Sequence, residues 1–409
     1  MKWTTQQERA LDAAGRWLTE GDGPFRLFGY AGTGKTTLAK HLAAGVSGEV
    51  LYAAFTGKAA HVMRQSGCHN ATTLHSLLYK PKEKSKARLL ALRDKIERVE
   101  TQIRQAQANC ADPGSLEKTL ERLKKELHQE NQEAKQPMFQ LNPDSPIGGA
   151  SLLVVDEVSM VPEGMAHDIL SFGTPVLCLG DPAQLPPVKG AGYFTKGAPD
   201  VMLTDVQRQA RDNPILDLAT RVRQREKIPA GQYGDSLVID RDDFDRGAVH
   251  HEAMILVGKN KTRRRANEFY RGLRIEEASS GILCRRDRLV CLRNNHDEGL
   301  LNGALFTVEK VLDSDETEDT IDAIVRGDDG LDAYVSMHQA VLRGEELDYW
   351  VRKDAEEFDY GYALTVHKSQ GSQWPEVVLI DESDVFRQDK SKWLYTGVTR
   401  AAEKITVVL

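Results

Sequence analysis

The chain has 409 residues, an ordinary globular composition and a net charge of −7, a size that allows about two to four domains. Five scattered cysteines (Cys68, Cys110, Cys178, Cys284, Cys291) with no Cys-x-x-Cys pair argue against zinc, iron–sulfur or disulfide frameworks. No stretch approaches the roughly 20 apolar residues that span a bilayer, and Met1-Lys2-Trp3-Thr4 lacks an apolar signal core, so a cytoplasmic protein is expected.

The first 79 residues alternate helix-like and strand-like segments, as in a parallel α/β core. Residues 3–18 read as a helix capped by Thr4 or Thr5. A short apolar run at residues 25–28 predicts a strand, and residues 38–44 a helix. Between them stands Gly29-Tyr30-Ala31-Gly32-Thr33-Gly34-Lys35-Thr36-Thr37, a Gly-x-x-x-x-Gly-Lys-Thr phosphate loop. Its glycines let backbone N–H groups converge on phosphate oxygens. Lys35 reaches the β- and γ-phosphates, and the Thr36 hydroxyl sits where Mg²⁺ would be held. This strand–loop–helix context implies binding of a nucleoside triphosphate. A second apolar run, residues 50–55, ends at Thr56-Gly57-Lys58, and helical character follows at residues 59–63.

Residues 82–135 break the alternation. Leu89, Leu92, Ile96, Val99, Ile103 and Ala106 recur at 3–4 spacing, and the pattern resumes at Leu116, Leu120, Leu123 and Leu127 after Asp112-Pro113-Gly114-Ser115. Charged residues and glutamine fill most of the space between. This pattern predicts two amphipathic helices joined by a Pro-Gly turn, with Asp112 or Ser115 as N-cap and a seam suited to antiparallel pairing.

The core resumes with buried-strand runs at residues 151–155 and 175–179. Asp156-Glu157 ends the first of these; in phosphate-loop ATPases such an acid holds Mg²⁺ and an adjacent glutamate polarises the attacking water. Gly180-Asp181-Pro182-Ala183-Gln184-Leu185-Pro186 follows the second, with Gln184 able to face the γ-phosphate. A second α/β unit is expected from about Val201, with a strand at residues 254–257. Residues 284–358 read mostly as β, with an Asn302-Gly303 turn, and α/β character returns at residues 377–380 and 405–408. Charge alone does not indicate a nucleic-acid partner. Arginines do cluster at residues 221–225, 263–265 and 285–288, each cluster reading as a solvated face or as part of a basic stripe.

The motif set resembles the superfamily 1 DNA helicases, specifically the RecD/Dda-like 5′→3′ branch. The resemblance runs through Thr4-Thr5-Gln6-Gln7, the phosphate loop, Phe55-Thr56-Gly57-Lys58-Ala59-Ala60, Thr72-Thr73-Leu74-His75-Ser76-Leu77, Val155-Asp156-Glu157-Val158-Ser159-Met160 and Gly180 to Pro186. In the second half it continues through Gln207-Arg208-Gln209, Thr365-Val366-His367-Lys368-Ser369-Gln370-Gly371-Ser372 and Tyr395-Thr396-Gly397-Val398-Thr399-Arg400-Ala401.

The resemblance implies an α/β fold of two RecA-like parallel-sheet domains. The first would span residues 1–80 and 136–200, the second 201–283 and 359–409. A helical hairpin would be inserted at 81–135 and an SH3-like β subdomain at 284–358. It implies an ATP- and Mg²⁺-dependent helicase or translocase acting as a monomer on single-stranded DNA and its junctions with duplex. Gln7 would read adenine. Gly32, Thr33, Gly34, Lys35, Thr36 and Thr37 would hold the phosphates, Thr36 and Asp156 the metal ion. Lys35, Glu157, Gln184, Arg208 and Arg400 would carry catalysis, the two arginines from the second domain. Thr56, Lys58, Thr73, His75, Thr365, His367, Lys368 and Ser369 would line the strand groove.

Relatives place a compact β-hairpin where this chain has its helical segment, so the strand-separating residue is unidentified. The segment reads as an arm for duplex DNA or a protein partner, or equally as a rigid spacer. A DNA-stimulated ATPase that recruits partners without strong unwinding is the alternative function.

Overall fold

The computed structural model describes residues 3–81, 92, 95–96, 98–106, 113–134, 139–186, 192–205, 213–276, 278, 282–295, 298, 300–313, 319–328, 330, 332–345, 347 and 355–409. It forms two compact units, Met1–Leu74 with Ile147–Leu409, and His75–Pro146.

In the larger unit the first sheet runs Thr72–Thr73, Val50–Ala54, Leu152–Asp156, Val176–Gly180, Phe25–Gly29, Val201–Leu203 in space, with every pairing parallel. Leu152, Leu153, Val154 and Val155 are fully buried, as a central strand covered on both faces requires. The Thr5–Glu20 helix opens with a reciprocal cap: Gln7 N–H donates to Thr4 Oγ1, and Thr4 N–H to Gln7 Oε1. Its Ala10 and Ala14 pack with Leu38 and Leu42 of the Lys35–Ala44 helix over Leu27, Val154 and Leu179. Val201–Leu203 corrects the expected boundary, because it pairs with Phe25–Gly29 in this first sheet and opens no second unit.

A second sheet follows the order Ala363–Thr365, Met254–Val257, Trp374–Ile380, Ala401–Val408, Ser236–Ile239, Gly231–Tyr233. It is parallel except for the last pair, a hairpin. An antiparallel five-stranded sheet runs Asp332–His338, Thr320–Gly327, Leu305–Asp313, Arg288–Cys291, Phe358–Tyr360.

Two arginines of the Asn260–Arg274 helix hold this last sheet to the second. Arg263 donates to Asp359 at 2.6 Å, and Arg271 grips both oxygens of Asp287 at 2.8 and 2.9 Å. Asp287, fully buried, also accepts from Cys284 N–H and the Tyr362 hydroxyl. Arg263 is thus an internal anchor, 7% exposed, and not part of a basic surface stripe. Asp287→Ala leaves Arg271 buried without its anion and should cost about 3–5 kcal/mol, read as a lower denaturation midpoint.

In the smaller unit, Tyr79–Pro81 pairs antiparallel with Phe139–Leu141. The described residues of 92–106 are helical, and Gly114–Ala134 is a second helix. Lys124 bonds Glu100 at 2.9 Å between them, and Leu92, Ile103 and Leu123 are buried. Of the predicted Asp112-Pro113-Gly114-Ser115 turn, Asp112 lies outside the described residues, and Ser115 is corrected from N-cap to a residue inside the second helix, which already begins at Gly114.

Candidate functional site

The phosphate loop leaves the C-terminal end of its strand, where open α/β sheets expose backbone N–H groups and a helix N-terminus to anions. Gly32 and Gly34 take φ of 76° and 80°, a left-handed conformation that a side chain would strain. Lys35 Nζ donates to Gly29 O (2.6 Å) and Tyr30 O (3.2 Å), which parks the ammonium over the mouth of the loop.

From the end of Leu152–Asp156, one strand removed from Phe25–Gly29 in the sheet, Asp156 Oδ2 accepts the Thr36 hydroxyl at 3.1 Å. Burial raises the Asp156 carboxyl to about 6; adjacent Glu157 adds to this and Lys35 opposes it. A hydroxyl and a buried carboxylate in contact, with a second acid beside them, are a hard oxygen donor set that suits Mg²⁺. Glu157 sits in the left-handed region (φ 54°, ψ 41°), at a cost of about 1–2 kcal/mol for a non-glycine residue. Its backbone N–H donates to Asp156 Oδ1 at 2.8 Å and so fixes the Asp156 carboxylate. Thr36, Asp156, Glu157, Ala59 and Gly371 line a cavity of about 80 Å³, roomy enough for an ion or water beside the acids.

Gln7, 3% exposed, lies against the loop, its Nε2 donating to Thr33 O at 3.1 Å. Its Oε1 accepts Thr4 N–H, and the amide keeps one further lone pair and one further N–H with which to meet a base. Gln6 is engaged elsewhere, with the backbone N–H groups of Thr204 and Asp205. Gln184 is buried and its Oε1 has no partner, a position poised for a polar group that enters the cleft.

Arg400 is 4% exposed. Its guanidinium donates to Thr396 O, Ser372 O and Thr399 Oγ1, while Glu157, Tyr395 and Asp181 are the groups that favour its charge against burial. Nε, Nη1 and Nη2 are thus each held by the helix and loops of the second sheet. Arg208 lies outside the described residues.

Contacts between the two sheets include several that motif reading left unassigned. The Tyr395 hydroxyl donates to Asp181 Oδ2 at 2.7 Å and accepts Ala31 N–H at 3.0 Å. Leu185 N–H donates to Thr396 Oγ1, and Gln370 Nε2 to Leu185 O, both at 2.9 Å. Arg223 places its guanidinium 3.6 Å from the Tyr30 ring centroid. Asp181 and Tyr395 both belong to the sequence motifs, but only their long-range contact brings them together.

Of the groove set, Thr56 caps the Gly57–Gln65 helix through Ala59 N–H and lies against Gly371, so the two motif loops meet. Lys58 covers the Trp374 ring at 5.3 Å, and burial lowers its ammonium pKa. Lys368 is exposed, and His367 packs against Phe386. Thr365 and Ser369 correct the expectation that they line an open groove. Both are buried, and their hydroxyls bond the loop's own Lys368 N–H and Val366 O. Thr73 is likewise 4% exposed. His75 belongs to the smaller unit, where its ring meets Tyr79 and Phe139 at 4.9 and 4.5 Å.

A phosphate loop on one parallel sheet, bonded through Ala31 to a helix that packs on a second parallel sheet, defines a P-loop α/β fold built on paired sheets. The chain belongs to the AAA-domain family, whose model matches residues 3–239, more than half its length, and its relatives group it with the RecD- and Pif1-like helicases of superfamily 1. The model of the UvrD-like helicase C-terminal domain matches residues 360–408. The ATP-dependent RecD2 DNA helicase of Deinococcus radiodurans is 28% identical over 291 residues, covering 62% of this chain and 35% of that protein. The ATP-dependent DNA helicase Pif1 of Bdellovibrio bacteriovorus is 27% identical over 261 residues, covering 54% of this chain and 58% of that one. The chain thus spans between a third and three-fifths of the length of these relatives. Among solved structures, Bacteroides Pif1 in complex with ADP-AlF3 and single-stranded DNA aligns at TM-score 0.53 and 18% identity, over all of this chain and 92% of that one. Candida albicans Pif1 aligns at 0.53 and 16%, over all of this chain and 94% of that one. These two alignments establish a shared fold.

Proposed function

We propose that this chain is an ATP-driven DNA helicase or translocase that moves 5′→3′ along single-stranded DNA. The observation that carries this reading is the set of hydrogen bonds that joins the two parallel sheets at the phosphate loop, where the Tyr395 hydroxyl holds Ala31 N–H and Asp181 and Thr396 Oγ1 holds Leu185 N–H, on the helix that leads to Arg400. Two RecA-like lobes then form the motor, one on each parallel sheet. The five-stranded sheet is an SH3-like subdomain, and the paired helices of the smaller unit form the inserted hairpin.

Lys35 and the amides of Gly32 to Thr37 hold the phosphates, and Gln7 the adenine. Mg²⁺, held by Thr36 and Asp156, would neutralise charge on the β- and γ-phosphates. Glu157 orients a water for in-line attack and takes its proton. Lys35, Gln184 and the arginines Arg208 and Arg400 stabilise the charge that develops on the γ-phosphoryl oxygens. Closure of the lobes around ATP and their release after hydrolysis move Thr56 and Lys58 relative to His367 and Lys368. Alternating grip by these loops advances the strand.

Tailed duplexes test this. ATP-dependent opening of a 5′-tailed duplex, with a 3′-tailed one left closed, is expected. Failure to open either, or to clear a bound protein from the tail, would favour a nucleotide-controlled recruitment switch.

A further inference from the structure

We propose that Tyr395 is a γ-phosphate-sensing residue: its hydroxyl oxygen occupies the phosphate's place on Ala31 N–H, and when a triphosphate binds its O–H turns from Asp181 to donate a hydrogen bond to the γ-phosphoryl oxygen. This rests on the nucleotide-driven reading above and adds a contact to it.

Tyr395 lies on the Lys390–Val398 helix of the second lobe and is 2% exposed. Ala31 is the third residue of the phosphate loop. Lys35, the side chain that reaches the β- and γ-phosphates, has its ammonium on Gly29 O and Tyr30 O. The stretch Gly29 to Ala31 is therefore the γ-end of the cradle, opposite the amides that open the Lys35–Ala44 helix. A second-lobe hydroxyl bonded to Ala31 N–H stands where a γ-phosphoryl oxygen would accept that same donor.

An incoming oxygen that takes Ala31 N–H displaces the phenol oxygen and leaves the phenol O–H as an adjacent donor from the second lobe. That donor keeps its proton, because burial and the neighbouring Asp181 carboxylate push the phenol well above its ordinary range. Asp181 retains Ala183 N–H at 3.0 Å after the exchange. Thr396, next along the helix, holds Leu185 N–H, so a shift of Tyr395 is transmitted to the loop that carries Gln184. A diphosphate has no oxygen at this end and leaves the Tyr395 bonds in place.

Tyr395→Phe keeps the ring and removes only the hydroxyl. A hydrogen bond to a charged phosphate oxygen is typically worth enough that its loss reads as roughly tenfold in affinity. The preference for a slowly hydrolysed ATP analogue over ADP should therefore fall about tenfold, with ADP affinity held within twofold. A ring-fluorinated tyrosine at position 395 gives a second readout in an otherwise unaltered chain: its fluorine resonance should move with the ATP analogue and stay with ADP. An unchanged preference in Tyr395→Phe, or a fluorine signal that answers both nucleotides alike, overturns the assignment. Retained ADP binding and DNA-stimulated hydrolysis in the parent chain separate that result from a failure of the motor reading.

Discussion

Lys35→Ala should lower ATP hydrolysis about 10²–10³-fold while single-stranded DNA binding stays within a few-fold. Lys35 is the only loop side chain placed to carry positive charge to the β- and γ-phosphates among the described residues, and its present partners are carbonyls of its own loop. Those carbonyls lose a donor in the variant but lie in a part-buried setting, so the fold should survive. The groove residues Thr56 and Lys58 belong to a different strand end and keep their contacts. DNA-stimulated hydrolysis at the parental rate in this variant would show that the phosphate site lies elsewhere.

Arg400→Ala is the second large effect. An arginine aimed at the transferring phosphoryl group is worth about 10³–10⁵ in rate, so kcat should fall by that order while nucleotide affinity changes little. Arg400 is anchored by Thr396 O, Ser372 O and Thr399 Oγ1, which fixes the guanidinium before nucleotide arrives. Arg400→Lys keeps the charge but cannot reproduce that three-point anchorage, and should recover little of the lost rate. Single-turnover hydrolysis checks this, and a lysine variant near the parental rate would mean that charge alone suffices.

Local pattern carried most of the fold. The Gly-x-x-x-x-Gly-Lys-Thr run, the apolar strands ending at Asp156 and Gly180, and the 3–4 spacing of Leu92, Ile103 and Leu123 each declare themselves within a few neighbours in sequence. What escaped depends on residues far apart in the chain. Arg263 looked like one member of a basic run until Asp359, 96 positions away, proved to be its partner. Tyr395 and Asp181 are 214 positions apart, and Asp181 alone reads as an ordinary turn residue. Thr365 and Ser369 were legible as a motif but not as buried, because their hydroxyls serve the loop's own backbone. Val201–Leu203 is too short and mixed to declare its sheet; only pairing with Phe25–Gly29 assigns it.

The steady-state rate of ATP hydrolysis with and without single-stranded DNA tests the central claim most directly. If a nucleotide held between Lys35 and Arg400 drives the paired lobes along a strand, the DNA must raise kcat by at least an order of magnitude, and the rise must vanish in Arg400→Ala. Hydrolysis indifferent to DNA, or stimulation that persists without Arg400, would contradict it.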